Sequence, residues 1–168
     1  EVQTGFGRCG TLFAHELFDV KPDIMTMAKG IGGGVPMGGI LATEKVASAF
    51  VPGDHGTTFG GGPLVCAAAN AVLDVFDEEN VLDNVNKVGE YFVSELKKLD
   101  KDIIKEVRGV GLMVGIELTK PGAEYVDKFR EAGFLINCTA GNVLRLVPPL
   151  TITKEDIDEF VKAFDEIL

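Results

Sequence analysis

Along the chain the apolar positions change period, and each change marks a new element. Val81, Val85, Val88, Phe92, Leu96 and Leu99 step by 4, 3, 4, 4 and 3, the spacing of one face of an α-helix. This predicts an amphipathic helix from Val81 to Leu99. Thr153-x-x-Asp156 has the form of a capping box, and it opens a last helix with Ile157, Phe160, Val161, Phe164 and Ile167 on one side. Pro121 to Ala132 reads as a helix with Pro in its first turn and Gly133 at its end. Leu64 to Glu79 is helical and apolar almost all round in its first half, so that half is expected to be buried. Glu44 to Phe50 reads as a short helix stopped by Pro52 and Gly53.

Between the helices lie short apolar runs. Asp23 to Ala28 reads as a buried strand ending at Lys29, and Gly38 to Thr43 as another. Val107 to Leu118 reads as one strand with glycines where neighbours come close, and Phe134 to Cys138 and Val143 to Val147 as strands around a turn at Ala140-Gly141-Asn142. Residues after about 100 therefore read β-α-β-β-α, a small α+β domain at 100–168. Residues 1–80 read as part of an open α/β sheet, with a linking helix to about 99. No internal repeat is visible. The chain begins at Glu1, without an initiator Met and inside what reads as a strand, so the expectation is of a fragment of a longer protein.

Composition then narrows the classes. Sixteen Lys and Arg against 26 Asp and Glu leave a net charge of −10, the wrong sign for a protein whose main work is on a phosphate backbone. No stretch reaches the roughly 18 to 20 unbroken apolar residues of a membrane-spanning helix, and no signal-peptide pattern is visible. The expectation is no nucleic-acid and no membrane partner. Cys9, Cys66 and Cys138 are far apart and odd in number, and His15 and His55 are the only histidines. Neither a disulfide framework nor metal-ligand spacing is present, so no metal is expected, and the isolated thiols fit a reducing cytoplasm.

The candidate chemistry gathers at the glycines. Six of the ten positions from Gly30 to Gly39 are Gly, and Gly60-Gly61-Gly62 is a second cluster. Lys29 ends an apolar run and precedes the first cluster. A lysine there has room for a flat ligand, and partial desolvation would supply the neutral amine that a Schiff base needs. A surface lysine before a glycine turn is the alternative. A P-loop is rejected, because its lysine follows its glycines. His55-Gly-Thr-Thr-Phe-Gly-Gly-Gly62 offers Thr57 and Thr58 hydroxyls and free backbone N–H groups suited to a phosphate, or an N-cap threonine. Arg145, with apolar neighbours in Val143-Leu-Arg-Leu-Val147, is expected in a largely buried strand. There it needs a carboxylate, from a ligand or from a structural ion pair.

Glu1-Val-Gln-Thr-Gly-Phe-Gly-Arg-Cys-Gly10, Pro22-Asp-Ile-Met-Thr-Met-Ala-Lys-Gly30, Gly32-Gly-Gly-Val-Pro-Met-Gly38 and His55-Gly-Thr-Thr-Phe-Gly-Gly61 occur in one order and spacing. Together they resemble the class-III pyridoxal-phosphate aminotransferases over the whole of residues 1–168. Within that family, Arg108 to Leu118 and Leu144 to Leu150 are most similar to members that use N2-acetylornithine. The resemblance implies a fold-type-I, aspartate-aminotransferase-like α/β architecture, here the later part of the large cofactor domain followed by the small C-terminal α+β domain. It implies pyridoxal 5'-phosphate as cofactor, amino-acid and 2-oxo-acid substrates, and a cytoplasmic homodimer in arginine biosynthesis. It gives Lys29 the Schiff-base and proton-transfer role. Glu1, Val2 and Gln3 are placed at the cofactor, with Gln3 beside the ring hydroxyl. Thr58 is placed on the cofactor phosphate from the neighbouring subunit, Thr57 at the substrate, and Arg145 on the substrate α-carboxylate. Relatives acting on ornithine, succinylornithine, 4-aminobutyrate or glutamate semialdehyde stay open, as does a non-catalytic fragment. Cys9 stands where the family usually has Thr, and Gly62 where it usually has Asn. The family motif reads Asp-Glu-Val-Gln, its Asp pairing with the pyridinium nitrogen, and this chain begins at the Glu. The fragment alone is therefore expected to be inactive.

Overall fold

A sheet covered on one face sends alternate side chains in opposite directions, and that rule organises the second half of the chain. The computed structural model describes residues 1–168, which divide into two units, Glu1–Leu82 and Asp83–Leu168. In the second unit, β3 (Ile104–Val110), β4 (Met113–Leu118), β5 (Asn137–Thr139) and β6 (Val143–Leu146) form an antiparallel sheet in the order β3-β4-β6-β5. Along β4, Val114, Ile116 and Leu118 are buried while Met113, Gly115 and Glu117 are only half-buried. Along β6, Leu144 and Leu146 are buried while Val143 and Arg145 are not.

Three helices bury their own stripes in the same unit. They are α3 (Val81–Lys97), which begins at the boundary, α4 (Ala123–Glu131) and α5 (Lys154–Ile167). The stripe read along α3 is the buried one, through Val85, Val88, Phe92 and Leu96. Phe160 of α5 joins the helices, with its ring 5.6 Å from Phe92 and 5.5 Å from Phe129 of α4. A fully buried aliphatic or Phe side chain contributes about 1.5–3 kcal/mol relative to exposure, so this core outweighs the solvent-screened ion pairs that Lys105 and Arg108 make with Glu117. The capping box forms as read: Thr153 Oγ1 accepts from Asp156 N at 3.2 Å, and Asp156 Oδ2 accepts from Thr153 N at 3.0 Å. The bond from Thr153 N, with the Thr153 hydroxyl donating to the same Oδ2 at 2.8 Å, holds the Asp156 carboxyl below its usual pKa. The Tyr91 hydroxyl of α3 donates to Asp158 of α5, which pushes its pKa up to about 12.

Two strand expectations are corrected here. Val107 to Leu118 is a hairpin and not one strand: the chain reverses at Gly111-Leu112, with Val110 paired to Met113. Gly111 has a φ of +55°, the left-handed backbone that a tight hairpin turn demands and that glycine supplies. The unit after α3 therefore runs β-β-α-β-β-α. The strand expected from Phe134 is displaced, and β5 begins only at Asn137.

The first unit has fewer strands. β1 (Ile24–Met27) pairs antiparallel with β2 (Gly39–Ala42), followed by α1 (Glu44–Ala47) and α2 (Pro63–Glu78). Glu1 to Gly10 is a run of turns where a strand was expected. Phe6, Gly7 and Gly10 all have positive φ, which bends the chain out of the extended form. The Glu1 carboxylate closes this segment, accepting from Thr4 Oγ1 at 2.6 Å and from His15 N at 2.9 Å. Phe6, Cys9, Ala14 and Ile31 form the small core. β1 is not buried, since Ile24 and Thr26 are exposed and Met25 and Met27 half-buried. Neither is the first half of α2, which has no buried residue and leaves Leu64 77 % exposed. Apolarity sets a preference for burial, but burial also needs something to pack against. No helix in either unit is long and apolar enough to cross a membrane.

In the second unit α3 comes close to the β3–β4 turn at Gly89. A Cβ there would lie 2.4 Å from the carbonyl oxygen of Gly111. Gly→Ala in an exposed helix is stabilising by about 1 kcal/mol, but here the clash with backbone dominates. Gly89→Ala is expected to destabilise the protein by about 1–3 kcal/mol in urea unfolding. Gly56→Ala, where a Cβ meets nothing within 4 Å, should change stability by less than about 0.5 kcal/mol. Equal midpoints for the two variants would contradict the packing described.

Candidate functional site

All the candidate site residues read from the sequence except Arg145 lie in the first unit. Lys29 follows β1 through Ala28 and opens a single 3-10 turn, Lys29–Gly32. Its φ is +51°, a left-handed conformation that costs a residue with a Cβ roughly 1–2 kcal/mol. The surroundings enforce it. Ile31 is buried within the turn, and Gly33 N donates to Gly30 O at 3.2 Å. A Cβ on Gly30 would stand 3.1 Å from Phe6 Cβ, and one on Gly33 2.9 Å from Val72 Cγ2 of α2. The turn is thus wedged between the Phe6 segment and α2, with no room for larger residues.

The Lys29 side chain is exposed and makes no hydrogen bond or ion pair. The expected desolvation of the amine is therefore not supplied by these residues. The glycines that open the space also leave the amine in water. Next to it, a Cβ on Gly34 would meet nothing within 4 Å.

The cluster at the start of the chain is engaged internally. Burial pushes the Glu1 carboxyl upward, but hydrogen bonds from Thr4, His15 and Ala14 outweigh it and bring the pKa below the ordinary value. Burial raises the Cys9 thiol, with the Glu1 charge adding to it. Val2 is exposed and Gln3 half-buried. Thr57 and Thr58 lie in a fully exposed loop, where Thr57 Oγ1 accepts from Gly60 N at 3.1 Å. Neither threonine caps α2, whose N-cap is Gly62 with Pro63 at the first helical position. The N-cap alternative for this loop is thereby removed.

Arg145 departs from expectation in a useful way. Its strand is not buried on both faces. Leu144 and Leu146 point into the core, and Arg145 takes the opposite, half-exposed face. Its Nε donates to Asn137 Oδ1 at 3.2 Å. No carboxylate pairs with it, whereas Arg108 pairs with Glu106 and Glu117, and Arg130 with Asp127. The structural ion pair weighed as its alternative is absent. Asn137 was not singled out from sequence, although the turn at Ala140 to Asn142 centres the hairpin on Gly141 and so places Asn137 opposite Arg145. A separate cavity of about 510 Å³ in this unit is lined by Phe134, Leu135, Pro148, Ile152 and Phe160. Its lining is mixed polar and apolar, and Asp156 at its edge is committed to Thr153. No group of His, Cys, Asp and Glu has the arrangement of a metal site.

The family described as aminotransferase class-III matches residues 1–168. The chain is 52 % identical over 170 residues to the acetylornithine aminotransferase of Methanothermobacter thermautotrophicus, covering 100 % of this chain and 44 % of that protein. It is 52 % identical over 168 residues to the acetylornithine aminotransferase of Aquifex aeolicus, covering 100 % of this chain and 43 % of that protein. Among solved structures it is similar to the acetylornithine aminotransferase of Elizabethkingia anophelis, with a TM-score of 0.90 at 39 % identity over 99 % of this chain and 46 % of the other. It is also similar to the ornithine δ-aminotransferase of Plasmodium falciparum, with a TM-score of 0.93 at 37 % identity over 99 % of this chain and 44 % of the other. The chain spans less than half the length of these relatives. It belongs to the class-III aminotransferase family, and its mixed α/β fold is that of part of a fold-type-I aminotransferase.

That family uses pyridoxal phosphate, and the residues present fit it. The group needs an amine not neutralised by a carboxylate and a backbone that leaves space beside it, and Lys29 with its glycines supplies both. The strained turn can be tested apart from the chemistry. Lys29→Gly and Lys29→Ala both remove the amine, but only Gly relaxes at positive φ. The Gly variant is expected to be the more stable by about 1 kcal/mol in urea unfolding. An Ala variant of equal or greater stability would show that the left-handed turn is not enforced.

Proposed function

With family membership as the premise, we propose that the protein carrying this chain transfers an amino group from N2-acetylornithine to 2-oxoglutarate, forming N-acetylglutamate semialdehyde and glutamate. The observation that carries the reading is the Lys29 amine, free of any ionic partner and set on an enforced left-handed turn. The choice of donor rests on the 52 % identity to acetylornithine aminotransferases. The similarity to ornithine aminotransferases keeps ornithine as the second donor, since among the solved structures the ornithine enzyme is 37 % and the acetylornithine enzyme 39 % identical.

Pyridoxal phosphate, when bound, supplies carbanion stabilisation. Lys29 would hold it through Nζ, and the same amine, once displaced by the amino group of the substrate, would take and return the substrate's Cα proton. The Thr58 hydroxyl and the backbone N–H groups of its exposed loop are suited to the phosphate of a second subunit in a homodimer. Gln3 would lie beside the ring hydroxyl, with Glu1 and Val2 at the same edge. Thr57 borders the substrate. Arg145 holds the α-carboxylate through its planar fork. The setting is a reducing cytoplasm, which suits the free thiols of Cys9, Cys66 and Cys138.

Borohydride reduction of the cofactor-loaded protein, followed by peptide mass mapping, is expected to place the pyridoxyl group on Lys29. A label on another lysine, such as Lys45, would remove the basis of the proposal. Amine-donor profiling of the same protein separates N2-acetylornithine from ornithine. For the substrate side, Arg145→Lys keeps the charge and loses the bidentate fork. Its kcat/KM is expected to fall roughly tenfold or more, as a charge-assisted bond is worth about 1.5–3 kcal/mol. Unchanged kinetics for both the amino donor and 2-oxoglutarate would contradict the role.

A further inference from the structure

We propose that Asn137 is a positioning residue for Arg145. It fixes the guanidinium through Nε so that only the Nη1/Nη2 edge is left to receive the substrate carboxylate, end-on. The inference rests on the reading of Arg145 as the α-carboxylate site.

The register supplies the first argument. Asn137 and Arg145 are direct partners in the antiparallel β5–β6 pair, so their side chains stand on the same face and within reach of one another. The bond from Nε to Oδ1, at 3.2 Å, uses that placement. On the other side, the partner of Arg145 is Gly115 of β4. A Cβ built at Gly115 would meet only Val143 Cγ1, at 3.4 Å, and no atom of Arg145 within 4 Å. The guanidinium therefore leans toward β5, and Asn137 decides its orientation.

The choice of amide over carboxylate supplies the second argument. An arginine offers a carboxylate two bidentate edges, Nε with one Nη or the two Nη together. With Nε committed, one edge remains. A neutral acceptor orients the fork without neutralising it, while an Asp at the same place would form a charge-assisted pair and compete with the incoming carboxylate. The other paired arginines of this unit, Arg108 and Arg130, meet carboxylates. Arg145 meets an amide.

This predicts an order that a merely structural role does not. In the full-length cofactor-loaded protein, Asn137→Ala is expected to weaken binding of glutarate, an inert dicarboxylate, about fivefold by calorimetry. Asn137→Asp, nearly isosteric, is expected to weaken it about tenfold or more. KM for 2-oxoglutarate should follow the same order, with kcat within about twofold of wild type and an unchanged melting temperature certifying the fold. Glutarate binding by both variants as tight as wild type, with Arg145→Lys impaired, would overturn the positioning role and leave Arg145 in place. An Asp variant that binds glutarate as well as or better than the Ala variant would overturn it too. Undiminished binding by Arg145→Lys would overturn the carboxylate site and this inference with it.

Discussion

The two-residue period of β6 is the constraint from which the second unit's chemistry follows. Leu144 and Leu146 must face the helices, because together with Ile116 and Leu118 they form the core. The residue between them then has to face the other way. Arg145 occupies that position, and its charge is placed on the open face by the burial of its neighbours. Flanked by a glycine on one side and an amide on the other, it keeps its cationic fork unneutralised. Packing and the proposed function meet in a single strand: the core fixes the register, and the register fixes the face on which the guanidinium stands.

The first unit solves a different problem with backbone strain. On the proposed reading the Lys29 amine is the reacting group, and what the fold fixes is the backbone that carries it. The glycines around Lys29 remove side chains that would crowd it, and the packing of Ile31, Phe6 and Val72 holds the turn that carries it. A lysine at positive φ persists only where its surroundings over-determine it. The cost is small against the core of a folded domain but large enough to mark the site.

Much of the second unit was legible in sequence because its signals are local and redundant. The α3 stripe from Val81 to Leu96 and the Thr153–Asp156 cap depend on spacing alone. The Gly111 hairpin was missed because no polar residue falls between Gly109 and Ile116, and one glycine at positive φ turned the chain. Burial was the least legible property. The first half of α2 is apolar yet has no buried residue in this chain, since apolar character cannot say what will pack against it. The same error placed Arg145 in a buried strand, because apolar neighbours in sequence lie on the opposite face in space. Asn137 carried no motif, and only the hairpin register connects it to Arg145. The glycines around Lys29 and at Gly60–Gly62 were readable as turns, because a glycine at positive φ, as at Gly33, Gly34 and Gly61, reports a backbone demand directly.

The central claim is that Arg145 is an arginine left free to take a carboxylate. Arginine-selective modification with phenylglyoxal, mapped by peptide mass spectrometry with and without glutarate, addresses it directly in the full-length protein. The account predicts that Arg145 is modified in the free protein and protected by glutarate, while Arg108 and Arg130, already paired with carboxylates, show no glutarate-dependent change. Modification of Arg145 at the same rate with and without glutarate would contradict it.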